Sequence, residues 1–598
     1  MTKQDIQEFF KLRMVEALHR DSLDSFRVRV NNAISIAFEL SHILEGWLEG
    51  SIKRFETVEH CIKEAEALVK ADECLVFPFS DKDILIQELN DYIGKSNKKN
   101  EACIAETKQL LFLINTLYSF NSPTYLEKCI AKIEQLLSPD TEIPENQFIP
   151  TIDEINKYIS SLCCELLRLG YSKVYLYRYF KSFCENKKSI SFEVAFNKMK
   201  SDFLSNTGKD FTVIFKLEFL DRDSAQRATE KNSKIKQKLD QNIQTSITKL
   251  ISYKKLRYKS SNAFISYTNP KEFIRFYVVN KKALDAGAAT RFAFEDLSND
   301  LDQNLENIAN LKMPSTALII DGDFIRNGNV YYFDSGEDIV ATEPQSLGDA
   351  ISDIKQNTQT KDIQERLYSA LRHLRIGDQQ NEIEQRFINY WIALEFIFAS
   401  PRSSESTFER IKKFLPEILG CCYVKRNILY MNKWLRGKKV LEGHISWNNL
   451  LEGHISWNNL SDEGKEQITE NVDILTRYRL TKLKSRLSQN KKTKDYIKFH
   501  EKNLESHITR IYRLRNELIH EAAIKQDIAN VTSNLRFYLV FVLNQLISFL
   551  KEYKEYKTEL DISHFFGKFH ILFKHLTNEK KSTIDDLMNM VSIEKYII

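Results

Sequence analysis

Helix breakers are scarce in this chain. It has 17 glycines and 10 prolines in 598 residues. Long helices should therefore dominate, with strands confined to stretches where the hydrophobic period shortens from 3.6 to 2. Residues 1–70 read as helices, with Ala33, Ile34, Ile36, Ala37 and Leu40 leading to Trp47 and Leu48. Residues 82–95, 101–120 and 123–137 follow, the last after Ser122-Pro123, where proline suits a first turn. Residues 138–150 hold three prolines and form the first candidate boundary. Helical text resumes over 151–205, with Gly170 as a helix stop.

The period then changes. Phe211, Val213, Phe215, Leu217 and Phe219 alternate with Thr212, Ile214, Lys216 and Glu218, which predicts a half-buried strand. Ala263–Thr268 and Phe273–Val279 read as further strands, and 294–311 as a helix. ALII, a DGD turn, DFIR, NGN and VYYFD then suggest a meander, with Asn327-Gly328 as a hairpin signal. Asp321 and Asp323 are turn chemistry in this setting, since two acids without a histidine or third acid nearby make a weak metal site. The lysine-rich run 231–259 reads as a solvated helix and connector or, alternatively, as a surface for phosphate.

From 345 onward the text is helical. A short helix is expected over 345–357, another over 359–375 stopped at Gly377, and an almost wholly apolar one over 379–399. The fold class is thus mostly α and multidomain. We divide it into a helical N-terminal region (1–145), an α+β domain (150–345), a helical bundle (359–555) and a helical tail (556–598). LEGHISWNNL occurs at 441–450 and again, identically, at 451–460. Ten added residues would rotate a packed helix by about 80°, so the repeat belongs in a loop inserted in the bundle. There it is either neutral or the lengthening of a flap.

Hydrophobic residues (42%) and charged residues (28%) are present in the proportions of a globular chain. A net charge of +4 is too mild to mark a nucleic-acid binder by itself. Nine scattered cysteines without CxxC spacing suggest reduced core thiols and a cytoplasmic location. The start, MTKQDIQEFFKLR, is amphipathic and charged, so no secretory signal is expected. The longest apolar run, Phe537–Leu550, contains Asn544 and Gln545 and reads as a core helix, not a membrane span. No cofactor or metal is expected, because no His/Asp/Glu cluster has ligand spacing and no GxxxxGK[ST] is present.

Residues 501–522, EKNLESHITRIYRLRNELIHEA, concentrate the chemistry. Leu504, Ile508, Ile511, Leu518 and Ala522 form an apolar stripe on which Arg515 also lies, four residues after Ile511. A guanidinium there keeps its charge and must find an anion or acceptors. Asn516 and His520 are four apart and share a neighbouring face with Tyr512. Arg515 and His520 are roughly 140° apart around the axis, so one helix does not aim both at a single atom. Glu395, the acid inside the apolar helix, needs a partner, and Arg515 or Arg513 is nominated. Just upstream, Arg479, Lys482, Lys484, Arg486, Lys491 and Lys492 interleave with Tyr478 and Tyr496. They form a solvated face or a path that feeds RNA toward the motif.

Arg-Asn-three residues-His late in a helical bundle, together with YRLRNELIH and FINYWIALEFIF, resembles the HEPN superfamily, in particular the Apea-like HEPN domains of bacterial anti-phage defence proteins. The resemblance implies a four-helix bundle with metal-independent endoribonuclease activity. Arg515, Asn516 and His520 would be catalytic, with Glu395, Arg513 and Tyr512 in support. It further implies a homodimer or higher even oligomer with two motifs facing one cleft, RNA (tRNA or mRNA) as substrate, a phage-derived trigger sensed by the first two-thirds, and no membrane. Two other readings stay open. One is a non-catalytic HEPN-type module that binds RNA or a partner. The other is a regulatory scaffold whose α+β part binds a ligand.

Overall fold

The computed structural model describes residues 1–19, 31–77, 82–95, 101–139, 142–185, 190–253, 267, 270–303, 311–314, 316–322, 324–329, 360–380, 382–400, 404–437, 472–521, 528–553 and 559–578. The tandem repeat, the helix expected over 345–357, most of 263–268, Lys254–Lys259, Asp323, the VYYFD segment and the end of the tail lie outside these residues. The described chain is mostly helical with a small antiparallel sheet.

It divides into two compact units, one comprising Met1–Glu165 with Asp338–Ile598, the other Leu166–Glu337. The N-terminal helices therefore belong to the same unit as the C-terminal bundle, where the sequence suggested separate regions. In the first unit, α1 (Lys3–Leu18), α2 (Ala33–Glu49), α3 (Phe55–Ala71), α4 (Lys82–Lys95), α5 (Glu101–Asn121), α6 (Tyr125–Leu136) and the first part of α7 (Phe148–Arg168) follow in order. The proline loop before α7 is no domain boundary. α7 is tied back to the start of the chain by Arg13 Nε donating to Asn156 Oδ1 (2.6 Å) and Asn32 Nδ2 donating to Glu165 Oε2 (3.1 Å). Gly170, at φ +104°, stops α7 as expected.

The second unit continues with α8 (Lys173–Glu185), α9 (Phe192–Leu204), β1 (Lys209–Phe219), α10 (Arg222–Lys231), β2 (Ile235–Lys236), α11 (Gln241–Tyr253), β3 (Ile274–Ala283), α12 (Ala286–Asp302), β4 (Leu311–Lys312), β5 (Thr316–Asp321) and β6 (Phe324–Asn329). The strands form one antiparallel sheet in the order β2-β3-β1-β5-β6, with β4 also paired to β1. Phe211, Val213, Phe215, Leu217 and Phe219 face α10 and α12. The opposite face is covered too: Ile214, Phe276 and Leu318 bury against Leu239 and Ile247, the latter on α11. The strand expected to be half-buried is therefore buried on both sides at its centre.

The hairpin turns at Gly322, φ +56°, between the paired Asp321 and Phe324, as the DGD turn suggests, and not at Asn327-Gly328. Asn327 and Gly328 pair with Leu318 and Ala317 inside the ladder. A Cβ on Gly328 would lie 2.7 Å from Ile319 Cδ1, so the glycine permits close packing. Asp321 is bonded by Arg326 (3.0 Å), a structural use of the acid.

The remainder of the first unit is α13 (Lys361–Gln379), α14 (Ile383–Phe398), α15 (Thr407–Gly437), α16 (Ile474–Leu487), α17 (Asn490–Glu521), α18 (Ile528–Glu552) and α19 (Ile562–Leu576). These helices share one core, running from Ile363 and Trp391 through Ile411, Ile508 and Phe541 to Phe573. Gly377 does not stop α13. It lies inside the helix, where a Cβ would come within 2.5 Å of Tyr390 Cε1, so it sets the close approach of α13 to α14. α19, assigned from sequence to a separate tail, belongs to the core: Phe565, Phe566, Phe569 and Phe573 are buried, and Phe573 fills the space beside Gly420. Val531–Glu552 is long and apolar enough to cross a membrane, but 89% of that window is buried in the bundle.

Candidate active site on α17

α17 buries two faces. Leu504, Ile508 and Ile511 of the expected stripe enter the bundle core; Leu518 is only partly buried against it, Leu514, which the stripe did not include, is buried there too, and Ala522 lies outside the described residues. A second stripe, Arg510, Arg513 and Glu517, recurs at threes and fours and meets acids on α2 and α3. Arg510 donates to Glu39 Oε1 (3.1 Å) and Glu64 Oε2 (2.5 Å), while Arg513 donates to Glu39 and lies 3.4 Å from Glu517. Burial alone would raise the Glu39 carboxyl, but Arg510 and then Arg513 outweigh it and hold it well below the usual carboxylate range. Arg513 is thus committed to a structural ion cluster, contrary to the supporting role expected for it.

Arg515 differs from both. Its side chain is 25% exposed, against 9% for Arg510 and 10% for Arg513. Nη2 lies 3.7 Å from Glu395 Oε1, and Nη1 donates to Asn516 Oδ1 at 3.1 Å. Nε has no hydrogen-bond partner among the described residues. The guanidinium is oriented yet unsaturated, since a fork of five donors is only partly engaged. Of the two arginines nominated for Glu395, the structure brings Arg515 to it. Glu395 is half-buried and is fixed in turn by Trp391 Nε1, which donates to Oε1 at 2.6 Å.

Tyr512, one turn before Arg515 and Asn516, stacks on Phe408 (centroids 4.0 Å apart, planes at 19°) and tilts against Trp391 (5.8 Å). Arg515, Asn516, Glu395, Trp391 and Tyr512 therefore form one connected group. His520 lies on the last turn of α17, and its side chain is outside the described set. Two other histidines of this helix are engaged in packing: His500 stacks on Tyr423, and His507 shares a hydrogen bond with Tyr538. Trp391 and Phe408 were missed in the sequence. Trp391 had a signal, four residues before Glu395 on one helix.

The basic path is largely dismantled by the fold. Arg479 donates to Glu16 (2.8 Å), and Lys482 donates to both oxygens of Asp153 (2.7 and 2.8 Å). Tyr478 is buried, its hydroxyl bonded to Asp153. Arg486 lies 4.2 Å from the centroid of the Tyr496 ring, which is itself buried against Tyr423. α16 thus spends this side on docking with α1 and α7, and neither tyrosine is open for stacking. Lys484, Lys491 and Lys492 are exposed, and of these Lys492 contacts Ser488 Oγ at 3.4 Å.

No family model, curated protein or solved structure matches this chain.

Proposed function

We propose that this protein is a metal-independent endoribonuclease of HEPN type, an effector that cuts RNA in response to phage infection. Its site would be built from Arg515, Asn516 and His520 of two copies facing one cleft. The observation that carries the reading is the Glu395–Arg515–Asn516 group: a guanidinium held in orientation by an acid and an amide, with a quarter of its side chain exposed. An arginine with a single acid 3.7 Å away on one side and a quarter of its side chain open can still receive a phosphate.

His520 takes the proton from a ribose 2′-OH. The 2′-oxygen attacks phosphorus while Arg515 offsets the charge gathering on the non-bridging oxygens. The P–O5′ bond breaks, and the partner's His520 returns a proton to the leaving 5′-oxygen. The products are a 2′,3′-cyclic phosphate, or the 3′-phosphate from its hydrolysis, and a 5′-hydroxyl. Asn516 and Glu395 position the guanidinium. Phe396 (42% exposed) directly follows Glu395, and Ile519 (45% exposed) is one turn past Arg515. Both are apolar surfaces beside the site, suited to a second copy.

The RNA-contacting role is kept for Lys484, Lys491 and Lys492, which the fold leaves exposed. The second reading, a non-catalytic RNA- or partner-binding module, uses the same arginine without the imidazole. Purified His520→Ala and Arg515→Ala proteins, tested on total RNA beside the parent, separate the two. The nuclease reading expects both variants to lose cleavage, and it falls if they cut as well as the parent.

A further inference from the structure

Arg54 stands at the start of α3, far in sequence from α17, yet it reaches the aromatic wall of the candidate site. Its Cζ is 5.6 Å from the ring centroid of Phe408 and 5.9 Å from that of Tyr512. Tyr512 precedes Arg515 and Asn516 by one turn of the same helix and touches Trp391, the residue that fixes Glu395. Arg54 is exposed, and its side chain makes no hydrogen bond or ion pair among the described residues. The neighbouring acid Glu409 accepts from the Ser406 backbone N–H at 2.7 Å, and this bond, together with the nearby Arg54 charge, holds its carboxyl below the usual range.

A guanidinium beside this stacked pair of rings, 5.6 and 5.9 Å from the two centroids, keeps its donors free for an anion. This contrasts with Arg510 and Arg513 on the same side of the bundle, which are sealed by Glu39 and Glu64. We infer that Arg54 is a second RNA-binding cation of this site. It would hold a phosphate, or stack against a base, of the nucleotide next to the one whose phosphate meets Arg515. The spacing suits that role, because the two cations are bridged by Tyr512 and a single helical turn, about 5.4 Å of rise. The first-unit N-terminal helices would then supply substrate contacts as well as support. This inference rests on the proposed RNA-cleaving function and names a residue that neither the motif nor the basic run contains.

The test uses the full-length protein and a short fluorescein-labelled 2′-O-methyl oligouridylate, which cannot be cleaved through its 2′ position. Binding is followed by anisotropy across a salt series. Arg54→Gln should weaken binding about tenfold and lower the slope of log K against log salt by about one. Arg54→Lys should recover the slope but only part of the affinity, since the charge returns without the fork of donors that a phosphate can engage in pairs. Lys53→Gln, an exposed neighbour off the rings, should change affinity by less than about twofold. If Arg515→Gln weakens binding while Arg54→Gln does not, the inference is overturned and the nuclease reading survives. If the parent itself does not bind the probe, the inference falls, while cleavage of total RNA by the parent and its His520→Ala and Arg515→Ala variants still decides the nuclease reading.

Discussion

Replacing Glu39 by glutamine removes the negative charge that Arg510 and Arg513 share. The carboxylate accepts from Arg510 Nε at 3.1 Å, from Asn31 Nδ2 at 2.5 Å and from Arg513. Removing one partner of a buried ion pair costs about 3–5 kcal/mol, because the opposite charge stays behind without compensation. Here Arg510 keeps Glu64 at 2.5 Å and Arg513 keeps Glu517 at 3.4 Å, so the lower end, about 3 kcal/mol, is expected. With a urea m-value of about 3 kcal/mol/M, the midpoint should fall by about 1 M. Tryptophan fluorescence during urea unfolding follows it, since Trp47 and Trp391 lie in this unit.

The same residue sets a pH dependence. A carboxyl held below its unfolded value stabilises the fold above the unfolded pKa, about 4.3, and that contribution is lost as pH falls through the folded value. The parent should therefore lose stability steadily below about pH 4, and Glu39→Gln should lose less over the same window. A midpoint unchanged at neutral pH, together with an acid slope equal to the parent's, would refute the reasoning.

Two further outcomes are expected. Trp391→Phe keeps the ring beside Tyr512 but removes the N–H that fixes Glu395. It should cost about 1 kcal/mol in unfolding experiments, while RNA cleavage drops tenfold or more, on the order expected when a positioned group loosens. Gly377→Ala should destabilise the bundle by about 1–3 kcal/mol, since its methyl would press on the buried Tyr390 ring. Gly328→Ala should cost less in the same unfolding assay, because it meets only the flexible tip of Ile319.

Some helices without internal breakers were legible almost to their ends, but the helix read over 294–311 is α12 at Ala286–Asp302, and Leu311 opens β4. The stretch 82–95 is α4, 101–120 is α5 within one residue, and Leu504, Ile508 and Ile511 of the α17 stripe face the core. Local punctuation was less reliable. Gly377 and Asn327-Gly328 carry the chemistry of stops and turns, but each sits where another side chain must come close, and that neighbour is invisible in a one-dimensional pattern. The basic run misled for a related reason. Arg479 and Lys482 look solvated until Glu16 and Asp153, more than three hundred residues away in the chain, are folded onto them. In the candidate site, the Glu395–Arg515 pair could be nominated because a carboxylate in apolar text demands a cation. Arg54 could not, because a single arginine at a helix start announces no partner.

The proposed activity is cleavage of RNA through its 2′-oxygen by side chains of α17. The most direct measurement incubates the purified protein with total RNA in EDTA and maps the chemistry of the new ends. The account predicts cuts that persist in EDTA and leave 2′,3′-cyclic phosphate or 3′-phosphate beside 5′-hydroxyl termini. Cuts abolished by EDTA, or 5′-phosphate ends beside 3′-hydroxyls, would contradict it.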